Sequence, residues 1–252
     1  MNWGLALTLL LFVAGCVDES KGTHPPSPGP TWVSDPAPAA HAPAAAPVPV
    51  PSPSDKKMLD RSRPYIPMVQ AQIDRFWPDM PIPTFLRAQI EQESLWNPYA
   101  KLETKRELGR GFGQLTITPR FNAYEEVKGL EPALRDWDYK SDPFNPKKQV
   151  IAMLAKNRFN YLQCAKMVDG ELEQMACAGV SYNGGLGGFK SDRRVCSNTQ
   201  GCNPRLWFGH IEHTSLKQKT AQAGYGKSFF EINREYAVNV VFKRRAKYDL
   251  WG

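Results

Sequence analysis

The sequence predicts a mainly α-helical domain with a small or absent β element, preceded by a long segment that does not fold. Apolar residues recur at helical spacing in several stretches after residue 64, and Pro, Gly or Asn closes most of them. Residues 22–54 are dominated by Pro, Ala, Ser and Val, a composition that cannot bury a core. With 252 residues, of which 42% are hydrophobic, the chain is long enough for one substantial domain.

Residues 1–15 have the features of an export signal. The apolar run LALTLLLFV is too short for an ordinary transmembrane helix, and Ala14-Gly15-Cys16 follows it. This pattern resembles the lipobox of bacterial lipoproteins, in which the signal peptide is cut before the Cys and the Cys is acylated. The resemblance implies a periplasmic protein with a lipid anchor at Cys16, and Val17 favours the inner leaflet of the outer membrane. An ordinary or uncleaved secretory signal is the alternative, because no Lys or Arg precedes the apolar run.

Residues 16–54 are predicted to be a lipidated, Pro/Ala-rich linker without a fold. Their prolines favour extended polyproline II conformations. At about 3.1 Å per residue, such a segment reaches on the order of 100 Å when fully extended. It would let a membrane-anchored domain, residues 55–252, reach a polymer that lies away from the membrane.

The folded domain is predicted to contain helices over residues 65–77, 82–96, 146–167, 172–182 and 229–247. Thr84 is the candidate N-cap of the second helix, and Asn97-Pro98 is its stop. Residues 99–118 are Gly-rich and charged, which predicts mostly loop with a short hairpin as an option. Residues 190–226 are polar, and we expect irregular chain there with one short helix over 214–223.

The cysteines after the linker form an even set of four, which an oxidising periplasm would convert to disulfides. They are Cys164, Cys177, Cys196 and Cys202. Three pairings are open from sequence. Short loops favour Cys164–Cys177 and Cys196–Cys202, and a zinc site is disfavoured because no CxxC spacing is present. No metal or organic cofactor is expected.

The formal charge of +7 and the pI near 9.1 suit an anionic polymer or a lipid headgroup layer as partner. Nucleic acid is excluded as the expected partner because the chain is predicted to be exported. A solvated basic face with no partner is the alternative for each single cluster of charges.

Glu93 is the leading candidate for chemistry. It lies in an apolar run that stops at Asn97-Pro98, and a carboxyl in such surroundings is a candidate for a raised pKa. Glu91, two residues earlier, points to another face of the same helix and cannot act as an adjacent partner. A neutral carboxylic acid near pH 7 can donate a proton to a glycosidic oxygen. The alternative for Glu93 is an ordinary ion-pair partner.

Several motifs in fixed order resemble the soluble lytic transglycosylase family. They are QESLWNPYA at 92–100, GFGQL at 111–115, Asn145-Pro146 with Gln149, SYNGGLG at 181–187 and EINREYAV at 231–238. The resemblance covers residues 65–245 or so. It implies a lysozyme-like fold and cleavage of the glycan strands of bacterial peptidoglycan, without a cofactor.

The resemblance also implies roles for individual residues. Glu93 would be the catalytic acid and Ser94 would hold it by a hydrogen bond. Gln114 would line the cleft and bind sugar substituents. The remaining contacts would come from Tyr182, Asn183 and Tyr236. The chain departs from the family pattern where Gly113 replaces the usual Met and where the loop before Gln114 is longer.

Other residues receive structural interpretations. Glu231 is expected to be a cap or a partner for a buried group. Trp207 and Phe208 are expected to pack in the interior, with a sugar subsite as the alternative. His210 and His213 have i, i+3 spacing but lack a third ligand nearby in sequence, so metal binding is disfavoured.

The reaction that the resemblance implies needs one acid. Ordinary glycosidases use two carboxylates, whereas the matching motifs supply only Tyr, Asn, Gln and Ser beside Glu93. A single acid suits the formation of a 1,6-anhydromuramyl end. A goose-type muramidase, with Asp136, Asp138 or Asp142 as second carboxylate, is one alternative. A non-catalytic glycan-binding scaffold of an envelope-spanning machine is another, and wall turnover, a secretion or conjugation apparatus and phage lysis all stay open as contexts.

Overall fold

The computed structural model describes residues 49–104, 107–217, 219–221 and 226–252. The described chain is mainly helical with one small sheet. The helices are α1 Pro53–Ser62, α2 Ile66–Phe76, α3 Thr84–Ser94, α4 Ala123–Leu130, α5 Pro146–Cys164, α6 Glu171–Gly184, α7 Leu186–Ser197, α8 Phe229–Val238 and α9 Arg245–Trp251. The strands are β1 Lys101–Glu103, β2 Leu108–Arg110, β3 Leu115–Thr118 and β4 Phe121–Asn122. The mainly α prediction is therefore confirmed.

The long helices predicted from the apolar pattern are present with boundaries that differ by a few residues. Pro146 occupies the first turn of α5, and the Asn145 side chain caps it by accepting from the Lys148 amide at 3.1 Å. Thr84 is not the N-cap of α3 as predicted, because Pro83 takes that position and the Thr84 hydroxyl donates to Asp249 at 2.5 Å instead. The last predicted helix is divided into α8 and α9 by a π-helical segment over Asn239–Lys243.

Helix α7 contradicts the prediction that the chain is irregular from residue 190. Its buried positions are Phe189, Asp192 and Cys196, which share one helical face. Asp192 interrupts the apolar pattern by which this helix would be predicted, because a carboxylate is rarely buried unless it is paired. Here it accepts from Arg234 at 2.9 Å and from Lys217 at 2.7 Å.

The predicted short helix over 214–223 is not found in the described part of that segment, residues 214–217 and 219–221. Residues 218, 222 and 223 lie outside the described residues, and so do residues 1–48, which include the predicted signal peptide, Cys16 and most of the linker. In the described chain, no helix combines the length and the apolarity that crossing a membrane requires.

The optional hairpin after α3 is in fact the first part of an antiparallel sheet with strand order β1-β2-β3-β4. Leu108 pairs with Ile117 and Arg110 pairs with Leu115 between β2 and β3. Leu115 points into a small core with Tyr124 and Trp137. The sheet and α4 therefore form a unit with its own core.

Helix α5 lies between this small core and the main one. Its residues Ile151 and Ala152 pack in the small core, whereas Val150, Met153 and Leu154 pack in the main core with parts of α2, α3, α6 and α8. A helix that is buried on several sides in this way carries little amphipathic pattern. Side chains from both parts meet along α5, and this junction positions the candidate site.

Both favoured disulfides are present. Cys164–Cys177 joins the end of α5 to α6, and Cys196–Cys202 closes the turn after α7. The first disulfide thus fixes α6, which carries the SYNGG motif, and the second fixes the chain that follows α7.

Candidate active site

Helix α3 presents its two acids to different environments. Glu91 is 1% exposed and accepts hydrogen bonds from Arg244 at 2.6 Å, Lys247 at 2.8 Å and the Tyr248 hydroxyl at 2.7 Å. This cluster ties α3 to the C-terminal helix. Its acid is fully engaged, which leaves Glu93 on the other face as the acid free for chemistry.

The end of α3 fixes the position of Glu93. The chain leaves the helix through Leu95 and Trp96, both in the left-handed region at φ 52° and 61°. Trp96 then returns to the core, where its indole donates to the Tyr248 hydroxyl at 2.6 Å. The WNP motif thus turns the chain sharply just beyond the acid.

Glu93 is partly buried and is held by a chain of hydrogen bonds that runs toward it. The Tyr236 hydroxyl donates to its Oε1 at 2.6 Å, and Gln89 Nε2 donates to the Tyr236 oxygen at 2.9 Å. Asn157 Nδ2 on α5 in turn donates to Gln89 Oε1 at 2.5 Å. Because the Tyr236 oxygen already accepts from Gln89, its own hydrogen is directed to the carboxyl group.

Burial raises the pKa of Glu93 from 4.5 to about 7, since the low-dielectric surroundings penalise the charged form. The hydrogen bond from Tyr236 and the positive charge of Lys156 oppose this change. Burial also raises the pKa of Tyr236 and of Tyr182 well above the ordinary range, with the charge of Glu93 adding to it. Near neutral pH the site therefore contains one acid close to its midpoint and two protonated tyrosines.

Lys156 and Glu126 are site residues that the sequence prediction missed. Lys156 Nζ lies 2.7 Å from Glu126 Oε2 and also 5.5 Å from the centre of the Tyr182 ring. Lys156 is only 9% exposed, so this ammonium is held in the site by its ion pair and the ring face. A stripe of buried polar residues on α5 is the signal that could have found it, comprising Gln149, Lys156, Asn157 and Asn160.

Tyr182 joins the helical part to the GFGQ loop. Its hydroxyl donates to the Gly113 carbonyl at 2.7 Å. A Cβ atom at Gly113 would lie 2.7 Å from that hydroxyl and 2.7 Å from Met153 Cγ. The absence of a side chain at position 113 thus allows the loop to approach α5 and α6, and Met153 of α5 occupies the adjoining space.

Ser94 and Gln114 make contacts that differ from the predicted ones. The Ser94 hydroxyl donates to the Ile90 carbonyl at 2.9 Å, so its single hydrogen is not directed to Glu93. Gln114 Nε2 donates to the carbonyls of Gly111 at 2.9 Å and Ala100 at 3.2 Å. Both amide hydrogens of Gln114 hold the loop. Its side-chain oxygen faces Gly109 of β2, where an added Cβ would lie 2.9 Å from it.

Asn183 contacts α8, and Glu231 lies in the first turn of that helix. Asn183 is exposed at the end of α6, and its side-chain oxygen accepts from Asn233 at 3.1 Å. Glu231 forms a capping box with Ser228 at the start of α8, which confirms the structural role predicted for it.

The remaining candidates lie in structural surroundings. Trp207 is fully buried in the main core, which confirms packing, and the Phe208 ring contacts the Phe242 ring at a tilt, with ring centres 4.8 Å apart. His210 Nδ1 accepts from the Asn203 amide at 3.1 Å. Across the described ranges, no group of three or more His, Cys, Asp or Glu residues is arranged to hold a metal ion.

Two of the three aspartates considered as a second carboxylate accept hydrogen bonds from neighbouring side chains. Asp138 accepts from the Ser141 hydroxyl at 2.7 Å, and Asp142 accepts from Asn145 at 2.8 Å. Asp136 is exposed. The charged group that acts on Glu93 within the described chain is instead the cation Lys156.

Comparison with known proteins adds no family assignment. No protein-family model matches this chain, and no curated protein matches it either. The motifs and the geometry around Glu93 are therefore the evidence on function.

Proposed function

We propose that this chain is a peptidoglycan lytic transglycosylase with a lysozyme-like catalytic domain and a single catalytic acid. The observation that carries the proposal is Glu93, a partly buried carboxyl with a pKa of about 7, which accepts from the Tyr236 hydroxyl and feels the positive charge of Lys156. Tyr182, in the SYNGG motif of α6, belongs to the same site, because the charge of Glu93 raises its pKa. Both this geometry and the order of the motifs support the proposed function.

In the first step the neutral Glu93 gives its proton to the glycosidic oxygen between N-acetylmuramic acid and N-acetylglucosamine. The bond from C1 to that oxygen breaks, and the acetamido oxygen of the muramyl residue stabilises the positive charge at C1. The carboxylate left on Glu93 is stabilised by the Tyr236 hydroxyl and by the Lys156 ammonium.

In the second step the Glu93 carboxylate removes the proton of the C6 hydroxyl group. O6 then attacks C1, the acetamido oxygen leaves, and the 1,6-anhydro ring closes without water. Glu93 is neutral again at the end. A pKa near 7 suits a group that must donate a proton and then remove one at neutral pH.

A muramidase would need a second carboxylate across a water-sized gap from Glu93. Glu126 is a second acid of this site, because its charge acts on Tyr182. Its carboxylate is paired with Lys156 at 2.7 Å, which argues against its use as a free base. The single-acid route is therefore favoured.

The test is product analysis of digested sacculi by mass spectrometry. The folded domain should release fragments with 1,6-anhydromuramyl ends, and Glu93→Gln should release none. Glu125→Gln, an exposed change on α4, serves as the matched control and should keep full activity. Fragments with reducing ends would replace this proposal with a muramidase, and no fragments at all would favour the non-catalytic scaffold.

We further propose that the protein is exported and anchored by a lipid at Cys16, with glycan strands as its partner in the periplasm. The test is incorporation of a labelled fatty acid into the full chain. Cys16→Ala should abolish labelling, and labelling that persists in this variant would contradict the anchor.

A further inference from the structure

We propose that a cavity on the sheet side of the domain is a carboxylate-binding pocket, with Arg110 as its main ligand. We assign it to a carboxylate of the peptide stems that branch from the glycan strand. The choice of stem peptide rests on the proposed function, whereas the anion preference rests on the pocket itself.

The cavity has a volume of about 390 Å³, which is within the usual range for small-ligand sites. Its described lining includes Arg110, Ile117, Asn122, Tyr124, Tyr139 and Lys140. Two of these side chains are cations and none is an Asp or Glu. An anionic group of a few atoms fits both the size and the charge.

Arg110 is an arginine without a partner. Its Nε is buried and makes no hydrogen bond, and no ion pair involves its guanidinium in the described chain. Arg234 and Arg244, by comparison, pair with Asp192 at 2.9 Å and Glu91 at 2.6 Å. A buried donor without an acceptor is costly, and a carboxylate in the cavity would supply the missing acceptor.

The cavity wall adds further donors. Tyr139 stacks on Tyr124 with ring centres 4.4 Å apart, which fixes its orientation. Asn122 Nδ2 donates to the Tyr139 oxygen at 2.8 Å, so the hydrogen of that hydroxyl stays available for an acceptor. Lys140 is exposed at the rim of the cavity. Its positive charge helps to lower the pKa of Asp138, but the described structure shows no ion pair between the two side chains. All these groups favour a ligand that only accepts hydrogen bonds.

The pocket is connected to the candidate active site by side chains. The Tyr124 hydroxyl in its wall accepts from Gln149 Nε2 at 3.4 Å, and Gln149 Oε1 accepts from the Gly113 amide at 3.3 Å. The Gly113 carbonyl in turn accepts from Tyr182. One continuous chain of hydrogen bonds thus links the pocket wall to Tyr182, and we assign the pocket to an extension of a saccharide bound at Glu93. A peptide stem is such an extension, and it carries carboxylates.

The experiment measures binding, so that it does not depend on the chemistry of cleavage. The Glu93→Gln variant of the full chain is sedimented with intact sacculi and with glycan strands from which an amidase has removed the peptides. Arg110→Gln and Lys140→Gln are then added to this variant. Arg158→Gln, an exposed change of the same charge on α5, is the matched control.

Loss of one charge-assisted contact predicts roughly tenfold weaker binding of Arg110→Gln to intact sacculi, with a smaller loss for Lys140→Gln. Binding to stripped strands should not change, which also shows that the variant is folded. The control should bind both polymers as before.

Equal losses on both polymers, or no loss on intact sacculi, would overturn the assignment of the pocket. Either outcome leaves the anhydro product of the unsubstituted chain unaffected, and reducing ends in that product would leave the pocket assignment unaffected. The two proposals are therefore tested separately.

Discussion

The Glu93→Gln substitution should make the domain more stable at high pH, although it removes the proposed catalytic group. Burial raises the pKa of Glu93 from 4.5 to about 7, so the folded state binds this proton more tightly than the unfolded state does. The free energy of unfolding of the unsubstituted chain must then fall as the pH rises from 4.5 through 7. A neutral Gln does not titrate and removes this loss.

The size of the effect follows from the two pKa values. One pKa unit corresponds to about 1.36 kcal/mol, so the rise from 4.5 to about 7 gives an upper value of about 3 kcal/mol. Glu93 keeps some exposure, and we therefore expect about 2 kcal/mol after solvent screening. For a domain of this size, that corresponds to roughly 4–8 °C in the melting temperature.

The assay is thermal unfolding of both chains at pH 4.5 and pH 8. The advantage of Glu93→Gln over the unsubstituted chain should grow between these pH values. Glu125→Gln is the control, because the Glu125 side chain is exposed and its charge is not penalised by burial. An advantage that is equal at both pH values would refute the claim that burial keeps Glu93 neutral.

Three further variants follow from the contacts. Tyr236→Phe removes the hydroxyl donor, which should lower kcat/KM by roughly 10–100-fold and move the basic limb of the pH–rate profile to higher pH, because that hydrogen bond lowers the pKa of Glu93. Gly113→Ala places a Cβ 2.7 Å from the Tyr182 hydroxyl and should cost about 1–3 kcal/mol in urea unfolding. Replacing both cysteines of Cys164–Cys177 by Ala should cost about 3 kcal/mol, since the residues are 13 apart.

Each of these variants has an outcome that contradicts its reasoning. An unchanged pH–rate profile for Tyr236→Phe would mean that its hydroxyl does not act on Glu93. Gly187→Ala is the matched control for Gly113→Ala, because no atom lies within 4 Å of its added Cβ. Equal stability of the two Gly variants would show that the loop is not closely packed. Loss of less than about 1 kcal/mol without the disulfide would show that the loop is already constrained in the unfolded chain.

The sequence predicted the features that depend on local order. Helical spacing located α2, α3, α5 and α6, and short loops between cysteines identified both disulfides. The apolar surroundings of Glu93 indicated its raised pKa. These predictions succeeded because the physical cause lies within a few residues of its effect.

The sequence did not predict the parts of the site that depend on distant pairs. Gln89 and Asn157 are 68 residues apart, and Lys156 and Glu126 are 30 apart, so no local pattern joins either pair. Helix α7 was missed for the same reason, because Asp192 is buried only where Arg234 and Lys217 approach it. The contacts of Gln114 also depend on a left-handed backbone, at φ 45°, that its sequence does not indicate.

We propose that one acid, Glu93, cleaves the glycan without water. The most direct measurement is digestion of sacculi in water labelled with oxygen-18, followed by mass spectrometry of the released fragments. We expect anhydromuramyl ends that contain no label. Fragments with one labelled oxygen at a reducing end would contradict it, because a water molecule would then have attacked C1.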